Sequence, residues 1–211
     1  LQISALAGHY RYDGQHHQLT VDGVDVADGH YSAQLQLQGA APMALTASAQ
    51  AQLPTPTDVP LPQPLQLQAH AQLTGTLAGA QAQLQLTAKA QAHSAADAPV
   101  DAAAHPSTGT QALAADLQAT IAPWQAQPLP QAQAQLQHLN LALLSSALPA
   151  SDLHGELHID TSAQGLWTLR ADLSNPLAGA CDTAALPLRR LQAQAQLEGA
   201  HWTLEQLHWQ L

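Results

Sequence analysis

Residues 80 to 93 read A-Q-A-Q-L-Q-L-T-A-K-A-Q-A-H, and this two-letter rhythm constrains the fold more than any other feature of the chain. Ala82, Leu84, Leu86, Ala88, Ala90 and Ala92 share one parity, while Gln81, Gln83, Gln85, Thr87, Lys89, Gln91 and His93 share the other. A helix would scatter the apolar set around its circumference. A strand sorts it onto one face, because successive side chains alternate sides. Ala, Gln and Leu are good helix formers, so propensity argues for helix while period argues for strand. The period decides, since it holds without an error from Gln81 to His93.

The same test passes elsewhere. Met43, Leu45, Ala47, Ala49, Ala51 and Leu53 alternate with Thr46, Ser48, Gln50 and Gln52; Leu65, Leu67, Ala69, Ala71 and Leu73 alternate with Gln66, Gln68, His70 and Gln72. Leu113, Ala115, Leu117, Ala119 and Ile121 continue the series, as do Trp167, Leu169, Ala171 and Leu173, then Leu191, Ala193, Ala195 and Leu197. Turn signals punctuate these runs: Asp13-Gly14, Asp22-Gly23, Asp28-Gly29, Gly39, Gly79, Asn175-Pro176 and Gly199. Short alternating strands joined by short turns predict an antiparallel meander. Pro54 to Pro64, with five prolines, reads as an extended connection, and Ser94 to Gly109 as a mobile loop. Leu141 to Pro149 loses the alternation and is expected to be one short helix.

Composition narrows the function. Hydrophobic residues make up 46% of the 211, charged residues only 9% and aromatics 3%, with no Phe. Such a chain is too apolar for simple disorder and keeps its solubility with neutral amides. A formal net charge of -10, with Arg189-Arg190 as the only basic pair, argues against a nucleic-acid or anionic-lipid surface, since both need clustered cations to displace counterions. The single Cys181 allows no internal disulfide. No stretch reaches the roughly 18 apolar residues of a spanning helix, and no basic segment with an apolar core opens the chain. A start at Leu1 without Met and a stop within a strand-like W-Q-L lead us to expect a section of a longer protein.

Chemistry is sparse. Twelve histidines raise a metal reading, above all His16-His17 and the pair His154 and His158. Positions four apart on a strand stand roughly 13 Å from each other, too far to share one zinc, so solvated polar-face histidines are expected and no metal site. No nucleophile elbow, phosphate loop or paired-carboxylate motif is present, and neither catalysis nor a cofactor is expected. Trp124, Trp167, Trp202 and Trp209 read as large fillers of an alanine-rich face.

A half-apolar sheet normally buries that face beneath helices or a second sheet, yet no amphipathic helix of three turns stands in the sequence. The prediction is an all-β chain forming an elongated curled antiparallel sheet, a repeating β-groove with an apolar concave face and at most one short helix. An apolar strip several strands long exceeds what monomer surfaces ordinarily expose, so a ligand or partner is expected on it. The expected lining comprises Leu45, Leu53, Leu65, Leu67, Leu73, Leu84, Leu86, Leu113, Leu117, Ile121, Trp167, Leu169, Leu173, Leu191 and Leu197.

N-P-L-A-G-A-C-D-T-A-A-L-P-L, residues 175 to 188, resembles a signature of TamB-like subunits of the translocation and assembly module, within the AsmA-like superfamily: an N-x-x-x-G pattern, an Asp, then L-P-L leading into the next strand. Ala122-Pro123-Trp124 followed by Gln127-Pro128-Leu129, and L-A-G-H-Y-R-Y-D from Leu6 to Asp13, are similar to recurring units of the same family. The resemblance implies a section of a long periplasmic body, tethered to the inner membrane by a segment outside this chain. It also implies a groove that conducts phospholipid acyl chains between membranes in outer-membrane biogenesis, cooperation with a TamA-type outer-membrane barrel, and contact with nascent outer-membrane proteins. Three other readings stay open. They are a chaperone that pairs unfolded outer-membrane strands at a sheet edge, a transmembrane β-barrel, which the scarcity of aromatics disfavours, and a passive repetitive scaffold.

Overall fold

The computed structural model describes residues 3–26, 29–54, 65–94, 113–143, 148–162, 165–180, 184–198 and 201–211. Apart from Pro54 and Ser94, the proline-rich connection and the Ser94 to Gly109 loop lie outside them, as do Cys181 and Gly199. Twelve strands form one weakly curled sheet. They are β1 (Ile3–Tyr12), β2 (His16–Val26), β3 (Gly29–Gln38), β4 (Ala44–Pro54), β5 (Leu65–Thr76), β6 (Leu84–Ser94), β7 (Ala114–Ile121), β8 (Gln131–Leu139), β9 (Leu153–Thr161), β10 (Trp167–Ser174), β11 (Arg190–Glu198) and β12 (His201–Gln210).

Sheet order equals chain order, and each neighbouring pair is antiparallel. This is the meander that alternating runs and short turns dictate. At the β1–β2 turn the Asp13 carboxylate accepts the backbone N–H of Gln15 and His16 at 2.9 and 2.7 Å, so the turn residue caps its own loop. Among the described residues, β1 and β12 each have a single sheet neighbour, and the sheet is open. Where the alternation lapses after β8, the chain makes one 3-10 turn, Leu141–Leu143, and residues 144–147 lie outside the described set. No helix among the described residues is long and apolar enough to cross a membrane.

Where the sequence changes parity, a bulge restores the face. In β2, Leu19 and Val21 are odd-numbered and Val24 and Val26 even, and the pairing with β3 slips between Val21 and Val24. Asp22-Gly23, read from the sequence as a turn, therefore lies inside a strand; a glycine within a strand marks a bulge as readily as a turn. β8 slips between Leu136 and Leu139, with His138 at φ 53°. β12 carries Glu205 as its extra residue, so that Leu204 faces Ala195 and Leu207 faces Ala193. The Glu205 carboxylate accepts hydrogen bonds from the Gln194 and Gln196 side-chain amides, which holds that bulge from the neighbouring strand. The 80-to-93 alternation starts before its strand does: β6 begins at Leu84, because Gly79 at φ 85° accepts the Ala82 N–H at 3.1 Å and turns the chain.

No second layer covers the sheet among the described residues. Each strand packs on its sheet neighbours, and no large side chain is fully buried. The buried apolar residues gather toward the strand ends: Leu45, Ala82, Leu84 and Ala122 at one, Ala92, Leu113 and Leu153 at the other. Ladder hydrogen bonds, each worth about 0.5–1.5 kcal/mol net, and cross-strand pairs of about 0.2–1 kcal/mol hold the sheet together in place of a thick core. Backbones also approach closely at two glycines. A Cβ on Gly75, at φ 151°, would collide with the Gln83 carbonyl oxygen, and one on Gly155, at φ 145°, with that of Asp172.

Candidate functional site

Pairing registers decide whether the apolar parity of one strand meets that of the next. They do so across the whole sheet. A row one side chain wide runs through Tyr10, Leu19, Leu35, Ala47, Leu73, Leu86, Ala119, Ala132, Ile159, Leu169, Ala195 and Leu204, one residue from each of the twelve strands. Beside it runs a second, from Ala33 through Ala49, Ala71, Ala88, Leu117, Ala134, Leu157, Ala171 and Ala193 to Leu207. At about 4.8 Å between strands, the twelve span roughly 50 Å.

The predicted lining residues whose side chains are described fall on this face; the Leu65 side chain lies outside the described set. Leu45 and Leu84 sit opposite each other across Gly75, and Leu84 also faces Ile121. Leu53 faces Leu67, which in turn faces Ala92; Leu73 faces Leu86; Leu117 lies between Ala88 and Ala134. Leu65 opens β5, and Leu113 stands one residue before β7, its carbonyl accepting the Ala92 N–H at 3.0 Å. On the far half, Trp167 lies between Thr161 and Leu197, Leu169 between Ile159 and Ala195, and Leu173 between Gly155 and Leu191. Leu45, Leu84 and Leu113 are buried, so they form the walls at the strand ends; Leu73, Leu86, Leu117 and Leu169 are half-buried and open to a ligand. Leu19, Val21, Leu35, Leu73 and Leu86, with the alanines between them, line an open depression of about 300 Å³ on this face.

Three of the tryptophans differ from the filler reading. Trp124 leaves the sheet for the β7–β8 turn, 64% exposed, where its indole N–H donates to the Leu77 carbonyl at 2.6 Å and ties two turns together. Trp202 and Trp209 share the apolar face yet are 61% and 62% exposed, because they stand on the edge strand β12 with nothing above them among the described residues.

The opposite face carries the amides in matching rows. Gln34, Ser48, Gln72, Thr87, Gln118, Gln133, His158, Arg170, Gln194 and Gln206 are successive cross-strand neighbours. Its ion pairs, Lys89–Asp116 at 3.4 Å, Arg170–Asp160 at 3.6 Å and Arg190–Asp172 at 3.1 Å, are exposed and worth at most about 1 kcal/mol each. Glu156 and Asp172 stand directly opposite, a like-charge pair relieved by their other partners. Hydrogen bonds from Gln192 and Arg190 hold the Asp172 carboxyl below its ordinary range, and Glu156 lies 3.1 Å from His158.

One corner breaks the uniformity. The β8–β9 and β10–β11 connections pack together at one end of the sheet, around buried Ser151 and Asn175. Asn175 Oδ1 accepts the Asp152 N–H at 2.8 Å, and its Nδ2 donates to the Leu186 carbonyl at 3.3 Å. Asn140 Oδ1 accepts the Ser151 and Ala142 N–H groups at 3.1 Å each, while the Ser151 hydroxyl accepts from Leu141 N and donates to the Leu139 carbonyl. Asn175, the first residue of the N-x-x-x-G signature, is thus a clamp between two loops.

Here three titratable side chains meet. Asp152 Oδ1 lies 2.9 Å from His138 Nδ1 and 3.1 Å from His154 Nε2, and the two imidazoles meet edge to face with centroids 4.3 Å apart. Partial burial pushes the Asp152 carboxyl up, but hydrogen bonds from His154 and His138 outweigh it and hold the group below its ordinary range. The sequence places His154 and His158 too far apart to share one ion. The structure gives each its own acid: His158 pairs with Glu156, and His154 pairs with Asp152, one residue before β9. The signal for this cluster was the D-x-H spacing opposite a hairpin partner's histidine, and it was missed because His138 has the wrong parity without its bulge.

No family model, curated protein or solved structure matches this chain.

Proposed function

We propose that the chain is a section of a periplasmic, TamB-like lipid-conducting groove that bridges inner and outer membranes and works with a TamA-type barrel. One observation carries the reading: twelve strands keep a single apolar row in register, through the bulges of β2, β8 and β12 and the register shifts between β1 and β2, with no layer over it among the described residues. An apolar strip of that length in water has a standing demand for apolar cover. An acyl chain supplies it at about 0.8 kcal/mol per methylene buried. The lining chemistry is nearly uniform Ala and Leu, so it offers few deep wells along its length, and a lipid can slide while its headgroup stays in water. The reading involves no catalytic step.

Photo-crosslinkers at Leu73, Leu117 and Leu169 are expected to capture phospholipid in cells, while those at Gln72, Gln118 and Gln194 capture none. Equal labelling of the two faces overturns the proposal. A second reading, a chaperone that pairs nascent outer-membrane strands, draws on the edge strand β12, whose residues are exposed from His201 to Gln210. Crosslinks to barrel-protein segments from β12, with none to lipid from Leu73, favour it instead.

A further inference from the structure

We propose that His138, Asp152 and His154 form a binding site for one divalent transition-metal ion of the zinc class, fastening the end of β8 to the start of β9. The argument begins with the donors. Two imidazole nitrogens and one carboxylate oxygen from three residues lie within 4.8 Å of one another. Two imidazoles with a carboxylate suit Zn²⁺, Co²⁺ or Ni²⁺, whereas Ca²⁺ and Mg²⁺ require oxygen ligands.

Two of the three donor distances fit an ion with little movement. A tetrahedral ion with bonds of about 2.0–2.1 Å sets its ligand atoms roughly 3.4 Å apart. Asp152 Oδ1 already stands 2.9 Å from one nitrogen and 3.1 Å from the other, so these two distances need to lengthen by only a few tenths of an ångström, and the two nitrogens lie within 4.8 Å of each other. Each imidazole then carries its proton on the nitrogen away from the ion, as a neutral ligand. A fourth position is left for water.

The frame is also set. His154 is the second residue of β9 and Asp152 stands one residue before that strand, and the β8 bulge, with His138 at φ 53°, brings the third ligand round to them. Asn175 holds the Asp152 N–H, and the neighbouring Ser151 is tied on both sides to Asn140 and Leu139. The ligands leave 23%, 27% and 27% of their side chains exposed, enough for an ion to enter. By contrast, the exposed His9–Asp22 and His30–Asp25 pairs bring one histidine to one carboxylate, with no third donor among the described residues.

The intact protein, stripped with chelator, is titrated with Zn²⁺ by calorimetry and with Co²⁺ by visible absorption. The expected result is one site per chain, with the visible band of four-coordinate Co²⁺. Asp152→Asn and His154→Gln are each expected to weaken Zn²⁺ binding about 100-fold or more, since even outer-shell changes cost 10- to 100-fold. A His16→Gln, His17→Gln control is expected to stay within about twofold of the parent. X-ray absorption on the unaltered protein needs no variant and should show two imidazoles and an oxygen about the metal. No stoichiometric site, or an affinity unchanged by His154→Gln, overturns the proposal and leaves a hydrogen-bonded cluster only.

Discussion

The run from β3 to β7 and the corner joining β8, β9 and β10 use the same alphabet to different ends. Across β3 to β7, no pairing slips, and apart from the outermost pairs Tyr31–Ala51, Leu65–Ser94 and Leu84–Ile121, Ala or Leu faces Ala, Leu or Gly from strand to strand. Any position there resembles the next one along. The corner holds a bulge, two buried polar side chains and a three-residue His–Asp cluster. The contrast teaches where specificity lies: repetition makes a smooth surface that favours no single pose, and departures from repetition fix particular atoms in place.

The largest expected effect is one the two regions share. Gly75→Ala in the uniform run and Gly155→Ala beside the corner each push a Cβ into a backbone carbonyl of the next strand at a φ that L-residues rarely adopt. Each should cost about 2–3 kcal/mol or more, read as a lower denaturant midpoint. If only one does, the two regions differ in stiffness and not only in pattern.

Next is the corner's clamp. Asn175→Ala leaves the Asp152 N–H and the Leu186 carbonyl without this partner in a buried setting, and unfolding experiments should show a loss of about 1–3 kcal/mol. Gln118→Ala on the wet face should stay within about 0.5 kcal/mol. Leu73→Ala is the sharper comparison. A fully buried leucine costs about 2–5 kcal/mol when truncated, but Leu73 is half-open, so a loss nearer 1 kcal/mol is expected in lipid-free protein. A loss above 3 kcal/mol would mean that the face is covered after all.

The smallest effect is electrostatic. Asp172, held below its ordinary value of 3.8 by Gln192 and Arg190, contributes stability that is complete above the unfolded value and fades as pH falls through the lower folded one. Asp172→Asn should flatten stability against pH only at and below about pH 4, and only slightly, because the group is exposed.

Much of the uniform region was legible in the sequence. The alternation at Leu45, Leu73, Leu84, Leu117 and Leu169 named both strand and face, and the registers then aligned those faces without exception. What could not be read was wherever an extra residue changes the parity. Asp22-Gly23 carries the chemistry of a turn and of a bulge alike, and the pairing with β3 decides between them. His138 shares parity with the apolar Ala132, Ala134 and Leu136, so no spacing rule places it beside Asp152 and His154 until the bulge is known. Glu205 likewise interrupts the alternation of β12, and only Gln194 and Gln196 on the next strand explain why it is held there.

The central claim is that the uniform apolar face holds lipid acyl chains. Native mass spectrometry of gently purified protein, set against a Leu73→Asp, Leu117→Asp variant, tests it most directly. The account predicts phospholipid retained by the parent and lost from the variant, with the β-sheet circular dichroism of the two unchanged. Phospholipid retained equally by both, or by neither, contradicts it.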